Sequence, residues 1–207
     1  MKDPQVRFQR KTVIGLILIV IASGFLLSQI APVHSAPQAT KRLFENKIPV
    51  HVPLGIKLKE GKEAKVQNLS NKNWFRDLEI EITNNSEKPI YFLSLYVTMP
   101  DVKNYAGAVM MFPVWFGRGE FTNFDTKPMP DDVPLQPKET YTYTVSEKRS
   151  IAWERWLAIN QKDDATRLEL IFGQLSFGDG TGFVTTGAIP FPFQTNPGEL
   201  AYSSWLM

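Results

Sequence analysis

The stretch LEIEITNNSEKPIYFLSLYVTM, residues 78–99, decides the fold. Its opening residues alternate, with Leu78, Ile80 and Ile82 on one side and Glu79 and Glu81 on the other. That period of two belongs to a strand with one buried face. Asn84-Asn85-Ser86-Glu87-Lys88-Pro89 is turn chemistry, because Asn tolerates left-handed backbone and Pro89 blocks ladder pairing until Ile90. The run IYFLSLYVTM that follows is apolar on both faces, so it belongs inside a sheet.

The same alternation recurs on either side. Ile56-Lys57-Leu58-Lys59 reads as a half-buried edge strand, and TYTYTV at 140–145 as a clean alternating one. Residues 108–116 form a second apolar run, but Pro113 cannot donate to a ladder and marks an edge or a bulge. Residues 117–136 are a long loop with prolines at 128, 130 and 134. Ile151, Ala152, Arg155, Trp156 and Ile159 fall at helical spacing, with Trp153 and Leu157 beside them, which predicts one short amphipathic helix ended by Asp163-Asp164. Residues 167–177 are a strand bulged at Gly173, and Gly178-Asp179-Gly180-Thr181-Gly182 is a tight hairpin into a strand at 183–189.

These elements predict an all-β fold over residues 48–189, an immunoglobulin-like antiparallel β-sandwich with one short helix. Its expected core comprises Leu78, Ile80, Ile82, Leu93, Leu95, Val97, Tyr141, Tyr143, Leu168 and Leu170. With no cysteine in the chain, that core must stand on packing alone.

Upstream, VIGLILIVIASGFLLSQIAPV at 13–33 carries no charged residue. At about 1.5 Å per residue its helix spans roughly 31 Å, close to the ~30 Å hydrocarbon core of a bilayer. Residues 1–12 carry Lys2, Arg7, Arg10 and Lys11 against Asp3, which places that basic segment in the cytoplasm. The expectation is a single N-terminal transmembrane helix in the inner (cytoplasmic) membrane. A tether at 34–47 then leads to a periplasmic, extracytoplasmic domain. The rival is a cleaved export signal, for which Val33-His34-Ser35 is the one tolerable cleavage triplet. An extended apolar tail is expected at 190–207, where Pro192 and Pro197 oppose regular structure.

Composition narrows the chemistry. Residues 34–207 carry 19 basic against 20 acidic side chains and no basic stripe, so nucleic acid is not an expected partner. Two histidines and no cysteine exclude the usual zinc sites, CxxCH haem attachment and Cys/His catalysis. The GxSxG, HExxH, GxGxxG and P-loop signatures are absent, so the chain is not expected to be an enzyme; a hydrolase built on carboxylates alone is the remaining catalytic alternative. Asp179, Asp131 and Asp132 are the residues that loop oxygens could offer to calcium, although Asp-Gly is also a favoured hairpin turn. His34, just past the apolar run, is the one residue placed to ligate a chlorophyll magnesium, and lipid or pigment contact is otherwise confined to the membrane helix. Asn68-Leu-Ser70 and Asn84-Asn85-Ser86 fit the glycosylation sequon, which turn residues also produce. Trp153 and Trp156 could stack sugars, but helix-to-sheet packing gives the same pattern.

Two surfaces look suited to protein partners. Gly15, Ala22, Ser23 and Gly24 give the apolar helix a small-residue face for association with integral membrane subunits. Phe191, Phe193, Tyr202, Trp205 and Leu206 make the tail an aromatic arm.

The ordered blocks EIEITNNSEKPIYFLSLYVTMPDVK, FGRGEF, DDVPLQPKETYTYTV, AWERW and LSFGDGTGF resemble a family of uncharacterised exported proteins of acidobacteria, phototrophic relatives included. The resemblance covers roughly residues 43–190 and brings no activity or catalytic residue with it. The anchor-like N-terminal segment and the tail from Phe191 depart from the shared pattern, and these departures suggest a non-catalytic accessory subunit of a membrane complex, with an acidobacterial type I photosynthetic reaction centre as one candidate host. A free-standing carbohydrate- or surface-binding module is the alternative. N-terminal sequencing of the mature native protein is expected to find residues 13–33 retained, whereas a chain starting near Ala36 would reveal a cleaved signal.

Overall fold

A computed structural model describes residues 41–193. The expected membrane span with Gly15, Ala22, Ser23 and Gly24, the tether residue His34, and Tyr202, Trp205 and Leu206 of the tail lie outside the described residues. Among the described residues, no helix is long and apolar enough to cross a membrane.

The chain runs β1 (Leu43–Asn46), β2 (Leu54–Leu58), α1 (Glu63–Gln67), α2 (Trp74–Asp77), β3 (Glu79–Asn84), β4 (Phe92–Lys103) and β5 (Val109–Gly117). A 3-10 turn (Gly119–Thr122), β6 (Thr140–Thr144), α3 (Glu147–Asn160), β7 (Arg167–Ser176), β8 (Gly182–Val184) and β9 (Ile189–Phe191) follow. Strands β2-β3-β6 form one sheet; β5-β4-β7-β8-β9 form the other, with β1 also beside β7. Every pairing between strands is antiparallel except β1 with β7. The fold is therefore mostly β, in the manner of an all-β sandwich.

Both sheets feed one core. Leu58, Ile80, Ile82 and Tyr143 come from the smaller sheet, and Leu93, Leu95, Val97, Val114, Leu168 and Leu170 from the larger. Nine of the ten residues expected in the core are buried, and Tyr141 is half-buried. β4 is covered on both faces along most of its length, as its unbroken apolar run requires. β5 is an edge strand, where the missing amide of Pro113 costs no ladder bond. The register slips between Ser94 and Leu95 opposite Gly173, which is the bulge the sequence predicted.

The turn after β3 is built on Asn84, which is fully buried. Its amide donates to the carbonyls of Lys88 (2.8 Å) and Leu135 (2.9 Å), and its oxygen accepts from the Ser86 N–H and hydroxyl. All its side-chain bonding capacity is used, so this sequon asparagine is a structural one.

Several elements differ from expectation. Among the described residues there are three α-helices where one was expected; α1 and α2 have 5 and 4 residues and no side-chain N-cap bond, too short to show periodicity. Leu78 closes α2 and does not open β3. The strand expected at 183–189 is split into β8 and β9 by a turn in which Thr185 and Ala188 have positive φ. Residues 43–46, expected within the tether, form β1.

Arg42 explains that last difference. It is 1% exposed. Its Nε donates to the Ala165 carbonyl (2.7 Å) and its Nη1 to the Val66 carbonyl (2.6 Å), while Nη2 lies 3.7 Å from Asp164. The guanidinium stacks 4.2 Å over the buried Trp74 ring, whose Nε1 donates to the same Asp164 carboxylate (2.6 Å). Burial lowers the Arg42 pKa from its ordinary value, against the opposing pull of Asp164 and Asp101.

The outward face of β3 is cross-linked. Glu79 accepts from Lys59 (2.7 Å) and Lys62 (2.8 Å), and Glu81 from Lys57 (3.0 Å). The two lysine hydrogen bonds hold the Glu79 carboxyl below its ordinary 4.5, so its contribution is full above that pH and fades as pH falls below it.

Arg42→Ala is expected to cost about 3–5 kcal/mol in a denaturant titration, because it strands the carbonyls and Asp164 without their partner. Ile80→Asp should unfold the domain outright, since a buried unpaired charge costs on the order of total stability. A loss under about 1 kcal/mol for Arg42→Ala would mean that β1 is dispensable.

Candidate functional site

Helix α3 stands against the end of the sandwich. Ser146 caps it, and Gln161 in a left-handed conformation closes it, its N–H donating to Ala158 and Leu157. Arg149 ties its first turn to both sheets, donating to the Tyr143 hydroxyl of β6 (2.6 Å) and the Pro113 carbonyl of β5 (3.1 Å). Ser150 and Trp153 are the buried positions. Trp153 packs on Phe75 at 5.8 Å and stacks on Trp156 at 5.5 Å. Trp153 is thus a packing residue, and the sugar-stacking alternative for this pair is not needed.

Of the residues that predicted the helix, Trp153, Trp156 and Leu157 pack toward the core and the isoleucines are left outside. Ile151 is 44% and Ile159 69% exposed, with Ala152 and Arg155 exposed between them. Together with Trp156 and Tyr105 from the β4–β5 turn, they line a groove of about 800 Å³, flanked by Lys148 and Glu147. This is within the ~300–1,000 Å³ range of specific binding sites. The groove has no carboxylate pair, nucleophile or histidine on its walls. Its apolar walls suit it to binding an apolar surface.

Two of the three acidic candidates, Asp179 and Asp132, are otherwise engaged. Asp179 accepts from Lys88 Nζ (2.7 Å) and from the Thr181 hydroxyl (2.6 Å) and N–H (3.0 Å). Burial raises its pKa, and the hydrogen bonds from Lys88 and Thr181 outweigh that, holding it below 3.8. Asp132 accepts from Arg118 (3.0 Å) and from the Met129 N–H (2.8 Å), while Asp131 is exposed beside it. Among the described residues, no group of three or more His, Cys, Asp or Glu side chains could hold a metal ion. His51 binds the Ala188 carbonyl at 2.9 Å.

Of the tail residues, Phe191 closes β9 and stacks on Phe124 at 4.2 Å, while Phe193, edge-on to Phe191 at 5.5 Å, is exposed. The first turn of the expected arm therefore belongs to the sheet edge.

A second surface was not anticipated. Met111, Pro113 and Trp115 of β5 project from the outer face of the larger sheet beside Tyr96 and Ile171, and Trp115 is 57% exposed. The residue order held part of the signal: Met111, Pro113 and Trp115 alternate with the buried Phe112 and Val114, so they share the opposite face.

No family model, curated protein or solved structure matches this chain. With Asp179 and Asp132 already paired to cations, ~5 mM calcium is expected to leave the melting temperature unchanged. A rise of several degrees would show that these carboxylates open to a metal.

Proposed function

We propose that this chain is a non-catalytic accessory subunit of a larger membrane protein complex. One transmembrane helix at 13–33 anchors it, and the β domain covers the extracytoplasmic face of integral membrane subunits. The observation that carries the reading is the apolar groove on α3, where a helix turns its isoleucines to solvent while its tryptophan holds the core. Exposed apolar patches rimmed by polar residues mark interaction surfaces. Lys148 and Arg155 at the rim, against Glu147, supply the polar frame. In the membrane, Gly15, Ala22, Ser23 and Gly24 would provide close helix contact.

The finer fold assignment, an immunoglobulin-like sandwich, rests on strand order. Counting from β2, the first, second and fifth strands share one sheet and the third, fourth, sixth and seventh the other. That separates A, B and E from C, F and G, as in immunoglobulin-like domains. The resemblance to exported acidobacterial proteins makes a type I photosynthetic reaction centre the candidate host.

Purification of the native protein in mild detergent is expected to bring integral membrane subunits with it. Ile159→Asp, at a position in water, should leave the melting temperature within about 1 °C and strip those subunits away. Co-purification that survives both Ile159→Asp and Ile151→Asp would remove α3 as the docking face, and native protein that purifies alone would overturn the accessory role.

A further inference from the structure

The outer face of the larger sheet holds a depression that differs in kind from the α3 groove. The register puts Trp115, Ser94 and Gln174 in one row across β5, β4 and β7. Tyr96 stands in the next row, and Thr122 of the 3-10 turn closes one side. The space holds about 190 Å³, below the ~300 Å³ at which drug-sized pockets begin and comparable to one sugar ring.

Three features make it a built site. Gly173, at the bulge, keeps it open: a Cβ there would come 2.8 Å from Tyr96 Cε2, 2.9 Å from the Ser94 carbonyl oxygen and 3.2 Å from Ser94 Oγ. Any side chain at that position would fill the space. Ser94 is only 6% exposed and lines the floor of the depression, where its hydroxyl can both donate and accept. Gln174 is held by its own Nε2, which donates to the Thr122 carbonyl at 2.8 Å, so its amide oxygen is left as a fixed acceptor.

We propose that this depression is a binding subsite for a neutral pyranose sugar. A pyranose has one face of C–H groups and a rim of hydroxyls. The exposed Trp115 indole offers a flat apolar surface with a negative face for the C–H groups. Ser94 Oγ, the Gln174 amide oxygen and the Tyr96 hydroxyl meet the rim. No lining residue is charged, which disfavours phosphorylated or acidic ligands that need a cation. The subsite stands on the sheet face alone and does not depend on the membrane role proposed above.

The chain has five tryptophans, so fluorine NMR of the full-length protein carrying 5-fluorotryptophan gives a readable spectrum. The detergent must lack a sugar head group. Cellotetraose, maltotetraose and tetra-N-acetylchitotetraose serve as probes. At least one is expected to shift the Trp115 resonance, assigned by its loss in Trp115→Phe, with a Kd of about 1 mM, leaving Trp156 unmoved. Ser94→Ala, which deletes a single oxygen and preserves the fold, should weaken that Kd about fivefold. Three results would overturn the subsite: no Trp115 shift with any probe at about 20 mM, a shift unaltered in Ser94→Ala, or a uniform movement of all five resonances.

Discussion

A single buried guanidinium sets where this fold begins. Arg42 draws together the carbonyls of Val66 in α1 and Ala165 before β7, the carboxylate of Asp164 and the face of Trp74 from α2. Burying such a charge costs several kcal/mol, and only a full set of partners offsets that. Here Nε and Nη1 donate to carbonyls while Nη2 faces Asp164, to which Trp74 adds a second donor. The consequence is positional. β1 can lie only beside the first half of β7, because Arg42 fixes the residue before it. The small helices α1 and α2, too short to persist alone, are held because their carbonyl and indole are partners of the same group.

Several polar side chains tie the structure together, although the Trp153 indole N–H is buried without a partner among the described residues. Arg42, Asn84 and Arg149 each join segments far apart in sequence through two or more hydrogen bonds. Of the three acidic side chains that sequence offered to a metal, Asp179 and Asp132 meet lysine, arginine or backbone N–H donors instead. By contrast Ile151, Ile159, Tyr105, Met111 and Trp115 stand in solvent with no apolar cover among the described residues. A domain without disulfides has reason to use its apolar side chains in the core, so these exposed ones are better read as surface made for contact.

What sequence could disclose followed the reach of its signals. Period-two alternation placed β3 and β6, and the doubly apolar run placed β4, because burial on one face or two is written directly into residue order. Pro113 and Gly173 marked the edge and the bulge through backbone chemistry that acts on the residue itself. Long-range partners leave no such trace. The Lys41-Arg42 pair reads as a solvated tether until Asp164 and Ala165, the latter 123 positions away, are brought to it. The helix failed differently. Its spacing was right, yet the two isoleucines stayed outside, because one large ring, Trp153, outweighs them when it fills the gap beside Phe75 and Phe112. The Trp115–Ser94–Gln174 row needed the register of three strands, which alternation within each strand cannot supply.

The parallel seating of β1 on β7 has a mechanical side. Tension applied through residue 41 runs along β1, from Leu43 whose N–H donates to Thr166 toward Lys47 whose N–H donates to Leu170. A ladder pulled along its own length is loaded in shear, so its bonds share the force and must fail together. A hairpin pulled from its open end would instead unzip, each bond breaking in turn. The guanidinium of Arg42 sits at the loaded end, where it acts as a bolt ahead of the seam. A pull at residue 41 would therefore meet this seam before it reached the core.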